Sequence, residues 1–478
     1  MRILILTLCL FSTVSDASWL ENMVTPFNDP LGVVTPQTSR EFINEGQDNT
    51  CHQKWQSVPK PLSLLTAVEL AICHNPQIRS SWAEIQSQTA QLGVAKASYL
   101  PTMNVTFNYS NQQTIYPESQ FSVNTNRTSD SRYTTLTWRL LDFGGREANY
   151  NAAQFLLDAA LAKQDAVFQK TIASVVGLYF DAQTARADRD AKEKNIALAK
   201  ETLKTALNRE QRGSGAQSDS LQAKTSLAKA ELEGSRAFGN YEKTISALFV
   251  VLGFSMQKVA LGQVVLAQDY ESSDKQLERD LMQWLSIAQE QHPSIIAARA
   301  QIKAAKEKLA VAISEGLPTV DLNMNQYING LPSQGLTSSQ MEQSMVGLSL
   351  TYPLFEGFAR GYKVQDARAQ IALRASDLQD VENQVLGDIA KAHADAVSAM
   401  RNIVVSQQLL ESSLEALESV KRKYHKGVAD ILEMLSVQSA HADAQQERIR
   451  TLSEWRSARL RLFATTGNIG MKELRDEN

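Results

Sequence analysis

The chain has little of what marks an enzyme, a metal protein or a helical membrane protein. It holds 478 residues but only three cysteines, Cys9, Cys51 and Cys73, at spacings that make no zinc motif. Its six histidines, His52, His74, His292, His393, His425 and His441, fall in no HExxH or paired-ligand spacing, and no GxSxG elbow is present. No catalytic residue, metal site or cofactor is therefore expected. Long apolar runs are missing too. Inside the chain the longest is "ALFVVLGF" (247–254), far short of the about 20 residues a membrane-spanning helix needs. Charge is close to balance, 48 Lys and Arg against 52 Asp and Glu without a basic run, which argues against a nucleic-acid partner. Proline is absent from 118 to 292 and from 354 to the end, so nothing there forbids very long helices.

What is present begins at the N-terminus. Arg2, the apolar run "ILILTLCLF" (3–11) and Ser15-Asp16-Ala17 read as a secretory signal over 1–17, cut after Ala17. Leu8 is too bulky for lipid modification of Cys9. Residues 18–61 hold Pro26, Pro30, Pro36, Pro59 and Pro61 and read as an irregular segment. Cys51 and Cys73 then enter an oxidising compartment as a pair. A disulfide between them would close a loop of about 20 residues, worth on the order of 3 kcal/mol; two free thiols are the alternative.

The chain is duplicated. "CHNPQIRSSWAEIQSQTAQLGVAKASYLPTMNV" (73–105) matches "EQHPSIIAARAQIKAAKEKLAVAISEGLPTVDL" (290–322), with Pro76 on Pro293 and Leu100-Pro101 on Leu317-Pro318. "TWRLLDFGGR" (137–146) matches "TYPLFEGFAR" (351–360), and Gly213 matches Gly427. This gives a first repeat at 62–254, a linker at 255–276, a second repeat at 277–468 and a tail at 469–478. Each repeat reads as a helix broken at Asn75-Pro76 or His292-Pro293, a Leu-Pro stop, two strands and a long helical hairpin. Residues 146–212 alone predict about 100 Å of helix. Its apolar stripe is Phe168, Ile172, Val175, Tyr179 and Ala182; the second copy offers Leu410, Leu414, Leu417 and Tyr424. Both stripes suit antiparallel coiled coil. Glycines place the hairpin tips near 213–217 and 426–430.

The strands are expected at about 102–112, 131–142, 319–328 and 345–353. Apolar Met103, Val105, Phe107, Leu136, Trp138, Val320, Leu322, Met324, Val346, Leu348 and Leu350 alternate with polar neighbours. Those neighbours, Asn104, Thr106, Asn108, Thr135, Thr137, Asp321, Asn323, Asn325, Ser349 and Thr351, suit a watery lumen. Each strand is long enough to cross a bilayer when tilted. Lipid tolerates only closed barrels, which begin at about eight strands, and this chain offers four. The sequence therefore predicts that several copies share one barrel in an outer membrane.

In this setting the paired "NPQIRSSWAEIQSQTAQLGVAKASYLP" opening, the strand exits "LLDFGGR" and "LFEGFAR" and the tip "YHKGVADILEML" carry a resemblance. Over roughly 62–468 the chain resembles the TolC-like outer membrane factors. The resemblance implies a mainly α fold with membrane β: coiled-coil hairpins forming a tunnel, and a twelve-stranded barrel shared by a homotrimer. It also implies an exit duct docked through a periplasmic adaptor (membrane fusion protein) onto an inner-membrane transporter, either an ABC secretion ATPase or a proton-driven pump. On the family's motif the periplasmic gate falls on Asp219, Glu433, Tyr424 and Ser436. Tyr424 matches a tyrosine that holds the closed state by hydrogen bonds. Ser436 departs from the acidic pattern, and Ala429 stands where a basic latch residue can occur. Three copies of Glu433 in a constriction would favour cations. The tips, Gly213, Ser214 and Gly215 with Gly427, Val428 and Ala429, are the implied adaptor-docking surface. The cysteine pair is similar to members that serve type I secretion of toxin-like proteins, so the expected cargo is protein. The alternatives are small-molecule efflux through the same fold, a periplasmic coiled-coil adaptor or scaffold, and a stand-alone porin.

Overall fold

The structure is a computed structural model that describes residues 31, 33, 61–115, 124–254, 266–267, 280–328 and 342–467. The expected signal peptide, Cys51, the tail and nearly all of the N-terminal segment and linker lie outside the described residues. Cys73 is disulfide-bonded.

In chain order the elements are α1 (Leu64–His74), α2 (Pro76–Ala97), β1 (Thr102–Ile115), β2 (Asn124–Leu141), α3 (Gly145–Gln211) and α4 (Gln217–Val251). The order then recurs as α5 (Leu281–Gln291), α6 (Pro293–Ser314), β3 (Thr319–Ile328), β4 (Glu342–Thr351), α7 (Ala359–His425) and α8 (Ile431–Thr465). Residues 75 and 292 are the extended breaks that the following prolines impose. β1 runs to residue 115 and β2 starts at 124, both beyond the expected ends, because they pair in unbroken register as a long hairpin.

The chain divides into two compact units that cut across the sequence repeats. One comprises 1–36, 86–157 and 306–367, the other 37–85, 158–305 and 368–478. The first contains all four strands, in one antiparallel sheet ordered β1-β2-β3-β4. Among the described residues no further strand pairs with the sheet edges β1 and β4. The exit from β2 is braced locally. Arg146 donates to the carbonyls of Arg139 (2.7 Å) and Leu140 (3.1 Å), while Asp142 accepts from the Arg146 backbone N–H at 2.7 Å.

The second unit holds the main apolar core. Leu64, Val68 and Leu70 of α1 pack with Ile172, Val175, Tyr179 and Phe180 of α3 and with Ile245, Leu248 and Phe249 of α4. In the second repeat Trp284 and Ala288 of α5 meet Ile389 and Ala392 of α7 and Leu462 of α8. The close approach between each break and its hairpin end demands glycine. A methyl on Gly253 (φ +84°) would collide with the His74 carbonyl, and one on Gly467 (φ +77°) would come within 2.7 Å of Pro293 Cδ. The α3 stripe is buried as its pattern predicts. The α7 stripe differs: Leu414 is exposed, and the covered face runs through Ser406, Leu417, Val420 and Tyr424. A buried face that includes serine leaves little hydrophobic signal to read.

Candidate functional site

The sheet has two chemically distinct faces. Residues paired across antiparallel strands share a face, so the register sorts the side chains. Thr102, Thr137, Asn323 and Gly347 form one rung; Asn104, Thr135, Asn325 and Met345 form the next. Thr106, Tyr133, Tyr327 and Gln343 follow, and Asp321 with Ser349 and Arg139 makes the rung beyond Thr137 on the same face. The ten residues expected to line a lumen thus lie on one face, with Asn108 opposite Ser131 and Thr351 opposite Thr319. Hydrogen bonds tie the rungs together: Thr137 Oγ1 to Asn323 Oδ1 at 3.3 Å, and Asn323 Nδ2 to Ser349 Oγ at 2.9 Å. Arg139 was not among the expected lining residues. It pairs with Asp321 at 3.0 Å, so the polar face carries a neutralised ion pair rather than a lone carboxylate. A bulge at 139–141 moves Leu141, opposite Val320, to the other face.

The other face is apolar toward the Leu141 and Val320 end and becomes mixed farther along, where Thr134, Gln326 and Ser344 share one rung and Arg132 and Glu342 the next. Met103, Leu136, Met324 and Val346 share a rung, as do Trp138, Leu322 and Leu348. Most of these side chains are exposed. A contiguous apolar patch of this kind marks a surface made for lipid or for another protein.

The hairpin tips are built alike. At the end of α3 the Gly213 N–H donates to the Glu210 carbonyl and the Ser214 N–H to that of Arg209, each at 2.9 Å. At the end of α7 Gly427 donates to Tyr424 and Val428 to Lys423, each at 3.0 Å. Both are Schellman motifs, which need a left-handed residue, and Gly213 (φ +70°) and Gly427 (φ +79°) supply it. The following helices differ. Asp430 caps α8 by accepting from the Glu433 N–H at 2.7 Å, whereas Ala216 gives α4 no side-chain cap. Asp219 and Glu433 both sit in the first turn of their helices, where the helix dipole favours an acid.

The gate candidates have separate surroundings. Glu433 and Ser436 are exposed, and Asp219 is half-buried. Tyr424 is buried in a cluster with Ala206, Ala223, Leu417, Ile431 and Met434. The Arg209 guanidinium lies 4.6 Å from the Tyr424 ring centroid, and none of the described residues hydrogen-bonds the phenol. Arg209 of the first hairpin thus meets the second through the Tyr424 ring face. The sequence reading missed it, since no local pattern joins residues 215 apart. Ala429, expected on the tip surface, has its side chain buried in the same cluster. Val428, Leu221 and Leu432 are exposed apolar side chains near the tips.

Beside the tips, α3, α4 and α8 enclose a cleft of about 680 Å³ whose walls include Gln222, Lys229, Leu432, Ser436 and Asp443. Buried Lys192 lies near it, 3.1 Å from Glu233 and 3.2 Å from Gln446, and joins the same three helices. Burial pushes the Asp188 carboxyl above its usual range; the Lys192 charge opposes that and Glu233 adds to it. Farther along the second hairpin, burial lowers the His441 pKa. Its Nδ1 lies 3.1 Å from Ser413 Oγ and its Nε2 2.9 Å from Gln445. Among the described residues no group of side chains could hold a metal ion.

With this geometry in place, comparisons with known proteins are direct. The family model described as outer membrane efflux protein matches residues 67–254 and 284–468. The chain is 32% identical over 409 residues to Protein CyaE of Bordetella pertussis, covering 86% of this chain and 85% of that one. It is 21% identical to the Proteases secretion protein PrtF of Dickeya chrysanthemi, covering 86% and 90%. The fold matches the crystal structure of the CmeC outer membrane channel of Campylobacter jejuni with a TM-score of 0.75 at 18% identity, over 87% and 89% of the two chains.

Proposed function

The chain belongs to the outer membrane efflux protein family, and from that premise we propose that it is the exit duct of a protein-secreting tripartite machine. As a member of that family it is an export channel of the outer membrane, with a helical tunnel in the periplasm. The adaptor and scaffold readings fall with this membership.

One observation carries the duct reading: a four-stranded sheet with one hydrogen-bonded polar face, an exposed apolar patch on the other, and edge strands β1 and β4 that pair with no further strand among the described residues. Open edges cannot face hydrocarbon. Three copies joined edge to edge would make twelve strands, lipid-facing side chains outside and the Asn, Thr and Ser rungs inside. In that trimer Tyr424, Asp219 and Glu433 lie at the periplasmic constriction, and Val428, Leu221 and Leu432 are the contacts offered to an adaptor. The repeat bounds at 62–254 and 277–468 and the pairing of Cys73 with Cys51 belong to the same reading.

Protein as cargo is supported by the similarity to a relative named as a proteases secretion protein. Small-molecule efflux is the second reading, supported by the family's description. A strain lacking this gene separates them. The expected result is loss of a specific protein from the culture medium with unchanged susceptibility to small toxic compounds. Unchanged medium with raised susceptibility overturns the protein cargo.

A further inference from the structure

The polar face of the sheet holds one pair of rings. Tyr133 of β2 and Tyr327 of β3 stand opposite each other across the strands, with centroids 6.0 Å apart and planes tilted by 35°. Every other paired residue on that face is polar, glycine or Met345, while Phe107, Tyr109 and Trp138 lie on the opposite face. Both rings are half-buried, and none of the described residues hydrogen-bonds either phenol. Their rung is at the end of the sheet remote from the helices. β3 stops one residue later, at Ile328, and the Arg139–Asp321 pair lies three rungs away.

As a cross-strand pair the rings help to hold β2 to β3. Their position offers more than that. Thr106 and Gln343 complete the rung, and the rungs on either side, with Thr135 and Asn325 or Asn108 and Ser131, are uncharged too. A cation held here is therefore held by ring faces rather than by a carboxylate. Ring faces attract cations. A guanidinium suits them best, since it is planar, weakly hydrated and stacks, whereas an ammonium is compact and strongly hydrated.

We propose that the Tyr133–Tyr327 pair is a binding site for guanidinium groups, the arginine side chains of a polypeptide passing through the barrel. The site rests on the duct reading, which puts this face inside a closed barrel and repeats the pair in each copy. The test uses the full-length trimer in nanodiscs and two fluorescein-labelled probes of equal charge, nona-arginine and nona-lysine. By anisotropy the trimer should bind nona-arginine about threefold tighter or better. Tyr133→Leu/Tyr327→Leu should remove most of that preference, and Tyr133→Phe/Tyr327→Phe, which keeps both rings, should retain it. Equal affinities in the parent, or a preference that survives the leucine variant, overturn the site. Nitration of the unaltered trimer by tetranitromethane, mapped by mass spectrometry, needs no variant. Tyr133 and Tyr327 should react in the bare trimer, and nona-arginine should slow both roughly twofold where nona-lysine does not. No reaction in the bare trimer, or equal protection by the two probes, overturns the proposal. A preparation that forms no channel in planar bilayers refutes the duct and the site together; a conducting trimer without the arginine preference refutes the site alone.

Discussion

Changing Tyr424 tests whether the ring or the hydroxyl holds the two hairpins together. Arg209 stacks 4.6 Å from the ring centroid, and Tyr424 is 3% exposed, so the contact is largely shielded from water on the tyrosine side. A cation–π contact in such a setting is worth about 1 kcal/mol, toward 2 when fully desolvated. If three copies open together, about 3 kcal/mol is lost, which shifts the closed-to-open ratio by roughly a hundredfold. Tyr424→Phe keeps the ring and the contact, so it should leave single-channel conductance in planar bilayers unchanged. Tyr424→Leu and Arg209→Gln should both raise the open fraction. Tyr424→Leu also removes packing from the Leu417–Met434 cluster, so a double-mutant cycle is needed. Arg209→Gln should add little in the Tyr424→Leu background. If Tyr424→Phe opens the channel as much as Tyr424→Leu does, the hydroxyl carries the closure and the ring-face argument is wrong.

Three further outcomes are expected. Gly253→Ala should lower stability by about 2 kcal/mol or more, because the methyl meets the His74 carbonyl; Gly144→Ala, with φ +91° but open space, should lose only about 1 kcal/mol in the same thermal melt. His441 has a folded pKa below its unfolded value of about 6.5, so its neutral form supports the fold. Stability should then be full above that value and fall as pH drops through the folded pKa, and His441→Gln should flatten the fall in melts taken across pH. In the sheet, Asp321→Asn leaves Arg139 unpaired on the polar face and should move the reversal potential toward anion preference; Arg139→Gln should move it toward cations. No shift in either would take that face out of the ion path.

The residues themselves show why some of this was legible in advance. Alternation along Val320, Leu322 and Met324 records which face each side chain takes, since neighbouring residues on a strand always point apart. Proline at 76 and 293 and glycine at 213 and 427 act on their own backbone torsions, so breaks and tips were readable where they fall. Their recurrence at a fixed offset implied two copies of one unit, and four short strands in a lipid setting implied partners. Tertiary structure alone decided the rest. It put Arg139 against Asp321, Arg209 over Tyr424 and Ala429 inside the tip, and it drew the compact units across the repeats. Those outcomes depend on contacts between distant residues, where neither periodicity nor backbone preference reaches. The sequence by itself determined the elements and their order; three-dimensional packing determined which side chains meet.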